Sequence, residues 1–297
     1  MRILFVNGNQ NKGGDSIKMF RFKEELEMLG VKVDFTRASY GDWSKYDIIH
    51  SFNFTQKWTL DAYENAKKYK KPFVISSIFF AHEYGEQHKE MLKNSFLVCY
   101  SNKEVQSIYK ASNILPTYFI ITDGVDKKFY STNTDRDIDF LFVGGVHVLK
   151  QPLKVARIAK KLGKSCTIVG GDHFQKSYWN ECKETGATMT GQIPHENVVG
   201  LYARAKVVVQ PSKFDAYPNT VIEGGLAGCS IVLTKETYCD LPVIWCDPKD
   251  DKSIEDAMVR SLETKFRLQE YINDNFKWND KANKLKRYYE EILLLPK

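Results

Sequence analysis

Two carboxylates bracket a short turn in Phe214-Asp215-Ala216-Tyr217-Pro218-Asn219-Thr220-Val221-Ile222-Glu223, and Gly224, Gly225, Ala227 and Gly228 follow. Thr220-Val-Ile-Glu223 has the spacing of a capping box, in which the two side chains do no more than open a helix. A helix start also exposes unpaired N–H groups and the positive end of a dipole, which together seat a phosphate. Pro218 and Asn219 would set that first turn and Thr220 would add a hydroxyl. A carboxylate one turn further in, at Glu223, would repel a phosphate but accept two hydrogen bonds from a neutral diol. Asp215, in the preceding loop, can do the same for another polyol. One ligand carrying a ribose, phosphates and a sugar fits this layout: a nucleotide sugar.

Other residues carry weaker signals. Gly13-Gly14 reads as a turn before a helix capped by Asp15 or Ser16, or as a loop open to close backbone approach. Gly170-Gly171-Asp172-His173 follows a strand, where a cleft would lie, although a histidine such as His173 is more often a solvated loop residue. His82 and Glu83 are adjacent, and neighbours on a helix do not face each other, which counts against an acid–base pair. Lys150 precedes the helix start Gln151-Pro152, with His147 nearby and Arg204 as a cation of unassigned place. Asp135-Arg-Asp137 lies in a polar connecting stretch and is discounted as a metal site.

The elements that must position these groups alternate between short apolar strands and amphipathic helices. Arg2–Val6 leads through a glycine-rich turn into a helix over 15–30, where Met19, Phe22, Leu26 and Leu29 recur at helical spacing and Gly30 closes the helix. Strands at 31–35, 46–52, 72–77, 96–101 and about 118–121 alternate with helices near 58–70 and 84–93. The rhythm breaks at the polar stretch 123–139 and restarts with strands at 140–145, 165–171, 206–212, 230–234 and 242–246. Helices near 151–162, 174–184, 196–205 and 219–228 fall between them, and a charged helical tail covers 252–296. This is the pattern of parallel sheets covered on both faces. It predicts a domain over 1–125, a linker over 126–138 and a second domain over 139–278. Ligand would sit between them, at the carboxyl ends of the strands.

Length and composition set the frame. A chain of 297 residues with 43% apolar and 13% aromatic content suits two globular cores. No run of about eighteen apolar residues is present, and the first residues lack the pattern of a secretory signal. The six cysteines form no C-x-x-C pair and several fall in apolar runs, as expected of buried thiols in a cytoplasmic protein. The net charge of +6 is shared evenly between residues 1–125 and the remainder, which does not form the basic stripe of a nucleic-acid binder. Ile17 and Phe20 lie among Lys18, Arg21 and Lys23, an apolar–basic face that suits either domain packing or a peripheral membrane contact.

The segment Pro211-Ser-Lys-Phe-Asp-Ala-Tyr-Pro-Asn-Thr-Val-Ile-Glu-Gly-Gly-Leu-Ala-Gly228 resembles the donor-binding segment of the retaining GT-B glycosyltransferases of family 4, with its Glu-x7-Glu pattern. The likeness continues through 11–35, Tyr46-Asp-Ile-Ile-His-Ser-Phe-Asn53, 96–109, Ile121-Thr-Asp-Gly-Val-Asp-Lys-Lys-Phe-Tyr130, 140–152 and the last helix, 276–292. The resemblance implies two Rossmann-like domains facing each other across a cleft, with a final helix, about 279–297, crossing back to the first domain. It implies donor binding by Gly13, Gly14, Gly144, Gly145, His147, Ile193, Tyr217, Pro218, Asn219, Thr220 and Glu223, with Gln192-Ile193-Pro194 holding the base edge. It implies catalytic roles for Lys150 and Asp215, with His82 as the candidate for the family's N-terminal histidine. The sequence departs from the pattern where Asp215 replaces a glutamate and Gly145 replaces a phosphate-binding arginine. His82 lies four residues beyond Ile78, the nearer match to the family's N-terminal histidine.

The expected activity is metal-independent retaining transfer of a sugar from a nucleoside diphosphate to an acceptor hydroxyl, without a cofactor. The acceptor would be a glycan, a lipid-linked or another hydroxyl compound, and a DNA acceptor is disfavoured by the flat charge distribution. Rival readings are a nucleotide-sugar epimerase of the same fold and a nucleotide-sugar-binding protein without turnover.

Overall fold

The computed structural model describes residues 1–8, 14–52, 57–76, 85–113, 117–172, 175–215, 217–264 and 268–295. The chain divides into two compact units, 1–124 with 277–297, and 125–276.

The first unit begins with β1 (Arg2–Val6), α1 (Gly14–Met28), β2 (Lys32–Thr36), β3 (Ile48–Ser51) and α2 (Lys57–Lys68). It continues with β4 (Phe73–Ser76), α3 (Glu86–Lys93), β5 (Phe96–Cys99), α4 (Asn102–Ser112) and β6 (Thr117–Ile120). The strands form one parallel six-stranded sheet in the order β2-β1-β3-β4-β5-β6. Ile3 to Val6 are all buried, as a strand covered on both faces requires. Met19, Phe22 and Leu26 form the buried stripe of α1. Gly30, at φ 78°, ends that helix in a Schellman turn, with Val31 N donating to Leu26 O at 3.0 Å and Gly30 N to Glu27 O at 3.0 Å. Because α1 already starts at Gly14, Ser16 lies within its first turn and is not its cap.

The second unit contains β7 (Ile138–Val143), α5 (Pro152–Lys161), β8 (Cys166–Val169), α6 (Lys176–Glu184), β9 (Thr188–Gly191) and α7 (His195–Arg204). Then come β10 (Ala205–Gln210), α8 (Asn219–Leu226), β11 (Ser230–Thr234), β12 (Ile244–Cys246), α9 (Asp251–Glu263) and α10 (Leu268–Asn275). Its parallel sheet runs β12-β11-β10-β7-β8-β9. The strand order therefore reverses beside β7 and β10, and the crevice at such a point is where doubly wound sheets bind ligands.

The stretch 126–138 that reads as a linker is packed onto this second unit. Phe129, at the end of a single 3-10 turn, is buried. The Arg136 guanidinium donates to Tyr202 O at 3.3 Å, to Ala205 O, and to Ala227 O at 2.5 Å. A fixed cation thus faces the carbonyl ends of α7 and α8, where the helix dipole favours positive charge.

The charged tail is three helices, and the last, α11 (Trp278–Leu294), belongs to the first unit. Trp278 meets Phe22 edge to face at 5.3 Å between ring centroids. A Cβ on Gly124 would lie 2.6 Å from the Trp278 ring, so only glycine lets the chain pass there. Lys286 Nζ donates to Leu29 O at 3.1 Å, behind the end of α1. The fully buried His50 joins Tyr289 Oη on α11 at 2.5 Å to Ser76 Oγ on β4 at 2.8 Å. Burial pushes the His50 imidazole down to about 3, so it stays neutral and serves as a polar rivet.

The face of α1 differs from the expectation of an apolar–basic surface. Arg21 pairs with Glu24 at 2.8 Å, Lys23 pairs with Glu27, and Lys18 turns in to Asp123 at 3.0 Å. Phe20 rests against Phe35 at 5.4 Å. The acids of the same helix neutralise its outer cations, which removes the charge argument for a membrane contact. Among the described residues no helix is long and apolar enough to cross a membrane. All six cysteines are free thiols, and five of them are buried.

One titratable group stands out in the first unit. Ser101 and Glu104 form a true capping box on α4, with Ser101 Oγ accepting from Glu104 N at 3.2 Å and Glu104 Oε2 accepting from Ser101 N at 3.0 Å. Burial pushes the Glu104 carboxyl up to about 7, with Lys18 opposing and Asp123 reinforcing the shift. Between the ordinary carboxylate range and that value, the folded chain holds a proton that the unfolded chain has released. Stability therefore falls as pH rises through this window and levels off above it. The full window is worth on the order of 3 kcal/mol. Glu104→Gln keeps an acceptor for the backbone and removes the titration. Urea melts at pH 5 and pH 8 should differ less for the variant than for the wild type. An equal pH difference in the two proteins would show that Glu104 does not carry the proton.

Candidate functional site

Two loops meet where the order of the second sheet reverses. The loop after β7 runs from Gly144 to Gln151, and the loop after β10 runs from Pro211 to Pro218. Lys150 on the first forms an ion pair with Asp215 Oδ2 on the second, and both side chains are largely buried. The backbone bond from Lys213 N to Leu149 O, 2.8 Å, holds the loops together beside the pair. His147 is half-buried on the same loop. Burial first, and then the nearby Lys150 charge, hold its imidazole below the usual histidine range, which favours a neutral donor or acceptor. Gly144 has φ 156°, whereas Gly145 is not among the residues of positive φ.

Below these loops lies the start of α8. Its N-cap is Pro218, with no side-chain cap, so Thr220 sits inside the first turn and the capping box suggested by Thr220-Val-Ile-Glu223 does not form. Ser212 Oγ, Asn219 Oδ1 and Thr220 Oγ1 are buried and make no hydrogen bond among the described residues. Buried polar atoms are rarely left so: the Ser212 and Thr220 hydroxyls can donate to an anion, as can the first N–H groups of α8, whereas Asn219 Oδ1 can only accept from a hydroxyl or N–H. The glycines explain how the helix reaches this spot. A Cβ on Gly224 would lie 2.7 Å from Val208 Cγ2 and one on Gly225 would lie 2.5 Å from Ile272 Cδ1, so α8 packs closer to β10 and α10 than any larger residue permits. Gly228, at φ 83°, then ends the helix.

Glu223, freed from capping, is held elsewhere. His195 Nε2 donates to its Oε1 at 2.8 Å and Tyr202 Oη donates to its Oε2 at 3.0 Å. The Phe129 ring lies 5.1 Å from the His195 ring and 5.6 Å from that of Tyr202. Glu223 is 9% exposed, and each of its oxygens keeps a lone pair for another donor. An oriented carboxylate with paired free acceptor sites suits a vicinal diol.

The structure thus brings Lys150 to Asp215 and sets Glu223, Asn219 and Thr220 on one short helix, with Tyr217 and Pro218 buried at its start. Ile193 lies in the turn between β9 and α7, two residues before His195. Gly14 opens α1 in the other unit, while Gly13, His82, Glu83, His173 and Ala216 lie outside the described residues. Arg204 is tied to Asp137 at 2.5 Å and is therefore committed away from the loops. His195, Tyr202 and Phe129 escaped the sequence reading. Among the described residues no group of three or more His, Cys, Asp or Glu side chains is placed to hold a metal ion.

Two parallel-sheet units, one with a reversal of strand order between β7 and β10 and the other completed by the last helix, define a two-domain α/β fold of the GT-B type. Solved structures share it across the chain. Sucrose-phosphate synthase from Thermosynechococcus elongatus superposes with a TM-score of 0.79 at 16% identity, covering 98% of each chain. Anabaena HepE in complex with UDP gives 0.75 at 13% identity, covering 98% of this chain and 100% of that one. The lipopolysaccharide outer core galactosyltransferase WaaB gives 0.72 at 14%, with 98% and 100% covered. No curated protein sequence matches the chain. Residues 137–264, within the second unit, match the family described as "Glycosyl transferases group 1".

Proposed function

We propose that the protein moves a sugar from a nucleoside diphosphate to an acceptor hydroxyl with retention at the anomeric carbon and without a metal ion. The observation that carries this reading is the Lys150–Asp215 pair beside the unpartnered hydroxyl and amide oxygens at the start of α8, with Glu223 one turn further in. The ribose diol hydrogen-bonds to Glu223. The diphosphate takes Lys150 and the first N–H groups of α8, with Thr220 and Ser212 adding hydroxyls. Asp215 accepts from the sugar hydroxyls. As the bond from the anomeric carbon to the phosphate oxygen breaks, charge grows on the leaving diphosphate, where a preorganised cation and helix dipole are worth most. The acceptor oxygen bonds to the same face of that carbon and passes its proton to a leaving phosphate oxygen, so no protein nucleophile is required. The resemblance assigns the acceptor to the first unit.

The test is a melting panel of UDP, GDP, ADP and their sugar conjugates in the presence of a chelator. UDP, which the HepE complex holds, is the first probe. One of these nucleotides, at a hundredfold its Kd, should add about 2.7 kcal/mol to stability. The reading fails if none shifts the melting temperature at millimolar concentration, or if a shift appears only when magnesium is supplied.

A further inference from the structure

Gln151 holds a backbone conformation that its own chemistry disfavours. It lies in the left-handed region, at φ 57° and ψ 35°, directly before Pro152 at the start of α5. Left-handed backbone suits glycine, and the residue before a proline is pushed toward extended backbone. Lys70 and Asn113 share the positive φ, but both lie exposed just past helix C-termini, where such a residue is the usual ending. Gln151 instead opens a helix and is 2% exposed. A strained residue persists where its surroundings over-determine it, and such residues gather at functional sites.

The constraint is its side-chain amide. Gln151 Nε2 donates to Pro211 O at 2.6 Å and to Pro248 O at 2.9 Å. Pro211 directly follows β10 and leads to Asp215, while Pro248 follows β12. Lys154 Nζ reaches the same Pro248 carbonyl at 3.1 Å. Lys150 N and Gln151 N both donate to His147 O, at 3.0 and 3.2 Å, so the turn that carries Lys150 is closed by the strained residue itself. One buried amide therefore ties together the loops after β7, β10 and β12. Rotation of Gln151 out of the left-handed region would swing Lys150 away from Asp215. Glycine would satisfy the backbone without strain, but it would forgo the clasp.

We infer that Gln151 is a positioning residue that fixes Lys150 opposite Asp215 for the leaving diphosphate. The inference rests on the donor-site reading above. The test measures the affinity of wild type, Gln151→Gly, Lys150→Ala and the double variant for UDP, GDP and ADP by calorimetry, with denaturant melts alongside. Gln151→Gly relieves the backbone while removing the clasp. It should stay folded and bind the diphosphate about tenfold more weakly, as expected when a binding group is misplaced. The double variant should bind no more weakly than Lys150→Ala alone, because Gln151 acts through Lys150. Wild-type affinity in Gln151→Gly, or a loss that adds in full to that of Lys150→Ala, overturns the inference. Should the glycine variant fail to fold, Gln151→Asn supports the same cycle, since asparagine tolerates this backbone and its amide is one methylene too short. If the wild type binds none of the three diphosphates, the donor-site reading falls and takes this inference with it. If the wild type binds and only the Gln151 arm is silent, the inference alone falls.

Discussion

Lys150→Ala is expected to slow sugar transfer by about a hundred to a thousandfold, the loss typical of removing one preorganised donor to a developing charge. Gly145 leaves an uncharged position on the loop, where the resemblance implies a phosphate-binding arginine. Arg204 cannot substitute, since its guanidinium is engaged by Asp137. Lys150 then bears most of the cationic load, with a His147 imidazole held toward its neutral form. Because the leaving-group charge is larger in the transition state than in the bound donor, the loss should fall mainly on kcat and less on donor KM. Asp215→Asn should act through the same pair, so the two substitutions together will cost less than their sum. Gly145→Arg is the reverse experiment. Its backbone is not left-handed, so φ does not bar a side chain there, and donor affinity should rise. Single-turnover rates with the nucleotide sugar selected by the melting panel decide the matter. A Lys150→Ala rate within about twofold of wild type is what a solvated surface lysine would give, and it would remove Lys150 from the site.

The elements of this fold were legible because each carries a local pattern. The apolar strands, the Met19–Phe22–Leu26 stripe and the closing Gly30 are set by neighbours within a few residues. The helix that follows Pro218 was legible for the same reason, but its register was not. Thr220 and Glu223 have capping-box spacing whether the helix begins one residue earlier or later. The structure begins it at Asn219, which leaves Thr220 inside the turn and Glu223 free. The carboxylate partners were invisible because they come from β10's preceding helix, 28 positions upstream for His195 and 21 for Tyr202. The one local cue was a histidine placed just after Gln192-Ile193-Pro194 at a helix start. Asp215 is marked by its place before the turn and Lys150 by resemblance alone. Their contact follows from β7 lying next to β10, a strand order that no single stretch of sequence encodes. The polar stretch 126–138 misled for a physical reason. Its charged Arg136 caps two helix ends and its Phe129 enters the second unit, and composition cannot distinguish such docking from a solvated linker.

Glu223→Gln should erase the protein's ability to distinguish a ribose from a deoxyribose. In the wild type, each Glu223 oxygen accepts one bond from the protein, from His195 or Tyr202, and in the proposed donor complex its remaining lone pair takes one hydroxyl of the diol. A 2′-deoxy nucleotide leaves one buried, charged acceptor without its donor, which costs about 1.5–3 kcal/mol, or roughly ten- to a hundredfold in affinity. Wild type should therefore bind UDP that much more tightly than 2′-deoxy-UDP, should UDP be the nucleotide it prefers, and the same comparison applies to GDP or ADP. Glutamine keeps the shape but turns one acceptor into an N–H donor and removes the charge. The NH2 group must face either His195 or Tyr202, which then accepts instead of donating, and on that side the diol meets a donor where it had a carboxylate oxygen. Affinity for the ribonucleotide should fall toward that for the deoxy compound, bringing their ratio close to one. General destabilisation of α8 would weaken both ligands together and leave the ratio intact, so calorimetric titration of both proteins with both nucleotides separates the explanations. An unchanged preference for the ribonucleotide in Glu223→Gln would mean that another group reads the diol, and the His195–Glu223–Tyr202 cluster would then be a packing feature of the second unit.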